Sequence, residues 1–73
     1  MAKKSDGGVY RVTQVIGTSS SSWEDAARNA VKTAASSLRD LRIAEIEKLD
    51  VKIEDGRITQ FRARLALSFK YEG

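Results

Sequence analysis

Arg62 and Arg64 stand two residues apart in a segment that alternates apolar and polar side chains from Phe61 to Phe69. A β-strand there sets both guanidinium groups on one face. A guanidinium is a rigid multiple donor that suits phosphate, a ring carbonyl or a carboxylate. Glu45 and Glu47, on the strand expected beside this one, are the carboxylates predicted to pair with the two arginines. Lys70 ends the same segment, where a basic residue keeps an exposed strand edge soluble. Asp50, Glu54 and Asp55 lack the spacing of an EF-hand loop and read either as solvated turn residues or as ligands for a hard cation. The chain has no cysteine and no histidine. That removes structural zinc and most nucleophile and general-base schemes near neutral pH, leaving calcium or magnesium on oxygen ligands. No catalytic pairing stands out among the carboxylate, lysine, tyrosine and serine groups that remain, so the chemistry to expect is binding, not catalysis.

Four elements are needed to position these groups. From Val9 to Ile16 the chain is rich in β-branched residues, and Tyr10, Val12 and Ile16 share one side of a strand, with Gln14 as the exception. Gly17 interrupts that strand, and the run Thr18 to Ser22 reads mainly as loop and helix cap. Trp23, Ala26, Ala27, Ala30, Val31, Ala34, Leu38 and Leu41 then follow the spacing of an amphipathic helix. Ser22 is its natural N-cap, with Glu24 and Asp25 at the positive end of the helix dipole. Arg28, Asn29, Lys32, Ser36, Ser37 and Arg39 form its solvated face, and Trp23, on the apolar stripe, is assigned to the core. Between Arg42 and Glu54 the apolar residues change parity, Ala44 and Ile46 on one count and Leu49, Val51 and Ile53 on the other, which predicts a bulge near Glu47-Lys48. Asp55-Gly56 supplies the positive φ angles of a tight hairpin.

The predicted fold class is α+β, a β-α-β-β subunit. The crossover helix makes the first two strands parallel in direction, and the hairpin then puts the third strand between them in a three-stranded antiparallel sheet wrapped on one helix. Residues 1–8, polar and ending in Gly7-Gly8, are expected to be a disordered tail, and 9–73 a single domain. At 73 residues the core is small, and without disulfide or zinc the remaining support is self-association. The sheet face opposite the helix is the surface expected to meet another subunit. The formal charge of +3 owes part of its excess to Lys3 and Lys4, so nucleic acid is not implied. The absence of a membrane-length apolar window or signal-like stretch predicts a soluble, cytoplasmic protein.

Gly17-Thr18-Ser19, the helix opening Ser22-Trp23-Glu24 with its alanine-rich face, Ala44-Glu45-Ile46, and Leu65-Ala66-Leu67-Ser68-Phe69-Lys70 together resemble the dodecin family. That resemblance covers nearly the whole expected domain. It implies a hollow homo-oligomer, a dodecamer, that binds flavin (riboflavin or FMN) at contacts between subunits. In flavin-binding members a Trp at the start of the second strand stacks on the ring, and a Gln on the third strand bonds its edge. Here Ile43 and Arg62 stand at those positions. Losing the aromatic plane removes about 0.5–1.5 kcal/mol per contact. The candidate binding residues implied by the resemblance are Ile43 as an apolar wall, Glu45, Arg62 and Arg64 as polar groups, and Lys70, which sits where basic residues of relatives approach a phosphate. The substituted pattern is similar to a second group, the calcium dodecins, which lack the same Trp and Gln. Two readings therefore stand side by side: a flavin-type binding or storage assembly weakened by the lost stack, and a calcium-binding or purely structural assembly.

Overall fold

The computed structural model describes residues 8–70. Most of the expected tail and Tyr71 of the terminal alternation lie outside the described residues. Within them the order is β1 (Tyr10–Ser19), α1 (Trp23–Ala35), β2 (Leu41–Glu54) and β3 (Arg57–Lys70). The sheet has the order β1-β3-β2, antiparallel throughout, as the crossover and hairpin require. The hairpin turns on Asp55 at φ 53° and Gly56 at φ 75°, the two left-handed residues that a two-residue turn needs.

Gly17 does not interrupt β1, which runs on through Ser19. A β-carbon at Gly17 would strike the Ala26 carbonyl oxygen and sit 2.8 Å from the Ala30 β-carbon. The glycine is there for close approach of helix to strand, not for a turn. The rest of the serine run does act as loop and cap. Ser22 Oγ accepts from the Asp25 amide at 3.0 Å, and buried Ser19 Oγ accepts from the Ser21 amide at 2.9 Å while donating to Asp25 Oδ2 at 3.0 Å. Asn29 Nδ2 donates to the Thr18 carbonyl at 3.0 Å and ties the helix to the end of β1. At its other end α1 stops at Ala35, earlier than the apolar spacing suggests. Leu38 lies in the connection and Leu41 begins β2, yet both still pack on the core beneath the helix. The two leucines satisfied a helical count while belonging to other elements.

Four small residues let α1 lie close to the sheet: Ala26, Ala30 and Ala34 on the helix face Ala63 on β3, with Leu65 and Leu67 as the large side chains fully enclosed. Trp23 is not part of that core. It is 39% exposed, its ring edge-on to Phe61 with centroids 5.2 Å apart and its Nε1–H donating to the Asp50 carbonyl at 2.9 Å. The Cα radius of gyration is 15.7 Å, against about 11 Å for a compact chain of this length. The long hairpin accounts for this, since a 13-residue helix cannot cover two 14-residue strands. Ile46, Leu49, Ile53 and Ile58 are left exposed beside and beyond the helix, while Tyr10, Val12, Ile16 and Ile43 are exposed on the sheet. No helix of the described residues is long and apolar enough to cross a membrane.

Candidate functional site

The register between β2 and β3 decides where every candidate side chain lands. A two-residue hairpin continued without interruption would set Glu47 opposite Arg64. Instead the pairing skips Thr59 on β3, so Lys52 faces Gln60, Asp50 faces Arg62 and Lys48 faces Arg64. It then skips Glu47 on β2, which restores Ile46 opposite Leu65 and Glu45 opposite Ala66, and this is the bulge that the parity change predicts. A third shift lies between Leu41 and Ile43.

The sheet face turned away from α1 therefore carries three successive rows. One is Thr18, Arg62 and Asp50; the next is Ile16, Arg64 and Lys48; the third is Gln14, Ala66 and Glu45. A fourth row holds Val12, Ser68 and Ile43, and Lys70 lies beyond it beside Tyr10. Ile43, Glu45 and Lys70 thus gather at one end of the face. Arg62 stands six residues along β3 from Ser68, about 20 Å from Ile43 at strand rise. Within one chain, Ile43 as wall and Arg62 as anchor do not share a pocket.

Arg62 pairs with Asp50, and neither Glu45 nor Glu47 meets it. Its Nε and one terminal nitrogen donate to the two Asp50 oxygens at 2.7 and 2.9 Å. This bidentate geometry follows from the Thr59 shift, which no count of alternation along the sequence reveals. The Arg62 hydrogen bond, assisted by the charges of Arg62, Arg64 and Lys48, holds the Asp50 carboxyl below the ordinary carboxylate range, against a smaller opposing effect of desolvation. The guanidinium is correspondingly held protonated by the same bond. Asp50 is anchored from both sides, since its carbonyl accepts from Trp23 on the helix side while its carboxylate grips Arg62 on the other. Glu47, pushed out by the bulge, accepts from Gln14 Nε2 at 2.8 Å, spanning the sheet over Ala66. Gln14 is the member of this constellation that sequence reasoning missed, and Asp50, read there as a turn residue or cation ligand, is instead the partner of Arg62.

The family model for dodecins matches residues 9–72. The chain belongs to the dodecin family. A dodecin described as calcium dodecin, from Mycobacterium tuberculosis, is 44% identical over 63 residues, covering 85% of this chain and 87% of that one. A solved dodecin from Streptomyces coelicolor superposes with a TM-score of 0.87 at 38% identity, covering 94% of this chain and 99% of the other. A structure described as the calcium-chelating immunodominant antigen calcium dodecin of M. tuberculosis, with a novel calcium-binding site, superposes at 0.79 and 39% identity, covering 88% and 91%.

Neither calcium nor the flavin that the resemblance implies finds its full donor set among the described residues of one chain. Calcium takes six to eight oxygens, and no three carboxylates converge among the described residues. For a flavin, Ile43 offers no aromatic plane, and Arg62 already directs two donors at Asp50. Glu45 is the carboxylate of this part of the face that keeps no side-chain partner among the described residues.

Proposed function

We propose that this chain is one subunit of a hollow homo-oligomer, a cytoplasmic dodecamer, that binds and stores calcium at contacts between subunits and carries out no catalysis. The observation that carries the reading is the Asp50–Arg62 pair, which turns the third-strand position from a flavin donor into a self-neutralised wall. The naming of two similar proteins as calcium dodecins supports the same choice. Self-association is supported by the exposed apolar side chains on both sheet faces, which a lone subunit leaves in water. Burying Val12, Ile16 and Ile43 against copies would contribute about 1.5–3 kcal/mol for each side chain fully covered. Since one subunit gathers too few carboxylates, calcium would draw oxygens from several copies, with exposed Glu45 a candidate contributor.

A second reading keeps flavin. Val12 and Ile43 flank Ser68 as an apolar platform, and Lys70 lies one row away, within reach of a phosphate on a flat ligand held between two copies.

The test is the light-scattering mass of the purified protein, followed by calcium titration after chelator treatment and by quenching of riboflavin and FMN fluorescence. An assembly with saturable calcium binding and no quenching is expected. A stable monomer would remove the oligomer, and saturable quenching without calcium binding would replace the cation by flavin.

A further inference from the structure

We propose that the groove between α1 and β2 receives the tip of the β2–β3 hairpin of a second copy of this chain, a head-to-tail contact repeated from copy to copy. The inference rests on the self-association proposed above and names one contact for it. A sheet face that packs on its own copy about a two-fold axis stops at a pair, so a closed hollow assembly needs a second contact of a different kind. The chain carries both halves of one. α1 lies over β1 and β3 and touches β2 least. Beside it a hollow of about 560 Å³ opens, floored by Ala44, Ile46 and Leu65 of the sheet and walled by Ala27 and Val31 of the helix.

The other half is the hairpin tip. Trp23 and Phe61 meet under the first turn of α1, and β2 and β3 run on past them. Ile53 keeps the parity of Val51, the partner of Phe61, so it belongs to the helix side of the sheet, and it faces Ile58 across the hairpin. With no helix above them these two isoleucines are 62% and 56% exposed. Ile53 lies seven residues along β2 from Ile46, about 20 Å at strand rise, too far for a chain to bring its tip into its own groove. The charges match as well. Lys32 stands on the α1 rim of the groove and Asp55 on the turn beside the isoleucine pair, and neither side chain makes a hydrogen bond or ion pair with a described residue. Their charged neighbours are already matched, Arg28 to Glu24 at 3.8 Å and Glu54 to Lys52 at 3.7 Å. Tip in groove packs Ile53 and Ile58 on Ile46 and Val31 and sets Asp55 against Lys32. Because the two patches differ, the contact is heterologous, and it closes only as a ring of three or more copies.

The chain has no cysteine, so one pair of thiols can be introduced without competitors. The experiment treats the assembled protein carrying Lys32→Cys and Ile58→Cys with a short bis-maleimide and reads denaturing electrophoresis beside the light-scattering mass. Linked species beyond the dimer are expected, while each single cysteine variant should give only unlinked chains. Ile53→Gln with Ile58→Gln, at exposed positions, should keep the circular dichroism of wild type while the assembly falls to half its mass or less. Lys32→Glu should raise the concentration at which the assembly dissociates tenfold or more, and adding Asp55→Asn should recover part of that loss. A monomeric wild type overturns the self-association on which the inference rests. An intact assembly whose double-cysteine form yields no linked chains overturns the tip-in-groove contact alone. Dimers from Lys32→Cys by itself would give the groove to a second helix, and full mass after the two isoleucine substitutions would give it to a different partner; either result overturns the proposal.

Discussion

Replacing Gly17 by alanine adds one carbon at the tightest point of the fold, and its effect can be worked from the structure. The new β-carbon would overlap the Ala26 carbonyl oxygen and lie 2.8 Å from the Ala30 β-carbon, where carbon atoms rest at about 3.5–4.0 Å. Neither obstacle has a rotamer through which to yield. The helix must then lift by about 1 Å, and a gap of that size forfeits a quarter to a half of each dispersion contact it opens. Those contacts include the packing of Ala26 and Ala30 over Ala63 and Leu65. Overpacking of this kind costs about 1–3 kcal/mol, and obstruction by backbone places Gly17→Ala near the upper end. Restricting the unfolded chain returns about 0.4–1 kcal/mol, leaving a net loss of about 2 kcal/mol. At roughly 4–8 °C per kcal/mol for a domain of this size, the melting temperature should fall by about 8–16 °C. The assay is thermal unfolding followed by circular dichroism and by fluorescence of Trp23, at one fixed protein concentration because association shifts the transition. A variant that melts within about 2 °C of wild type would refute the close-approach argument, since a 1 kcal/mol loss alone exceeds that shift.

Substitutions at three further positions examine the site and its supports. Asp50→Asn removes an acid whose folded-state pKa is depressed, so the stability it contributes is present in full above the ordinary carboxylate value of 3.8 and is lost as pH falls through the folded value. The variant should therefore be less stable than wild type at pH 7 and converge with it below pH 3.8, and urea melts that stay equally separated at both ends would contradict the pairing. Trp23→Phe keeps a ring against Phe61 but loses the bond to the Asp50 carbonyl, a cost of about 1 kcal/mol. Trp23→Ala should cost about 0.5–1.5 kcal/mol more through the lost ring pair, and equal urea midpoints for the two would deny the edge-on contact. Ser22→Ala strips the N-cap and should cost about 1 kcal/mol by the same melts. No change there would mean that Ser19 and Asp25 cap the helix unaided.

The elements were legible wherever local chemistry alone decides them. The Asp55-Gly56 turn, the alanine stripe of α1 and the parity change at Glu47 each depend on near neighbours, and with the crossover they determine the order of the sheet. What the sequence conceals is a contact whose meaning lies in another element. Gly17 reads as a strand breaker until Ala26 and Ala30 are seen above it. Trp23 counts with the apolar stripe, but the end of the short helix leaves it at the rim of the core. Arg62 looked toward Glu45 and Glu47 because one skipped residue, Thr59, has no local signature strong enough to shift the expected partners. The candidate residues were found on one face, while their grouping into distinct rows needed the register.

The same irregular register has a consequence for how sheets of this protein meet. β1 and β2 are both edge strands, but they are not equivalent. β1 pairs with β3 over ten successive residues without a shift, so its outer edge presents an even row of amides and carbonyls. The β2 ladder is broken at three places, and bulges twist and unevenly space the groups on its free edge. A fibre needs two edges that each accept a neighbour readily, and a bulged edge is the poorer template of the two. The even edge of β1 is thereby the better template for a second sheet and the uneven edge of β2 the poorer one, an asymmetry that works against an open ladder.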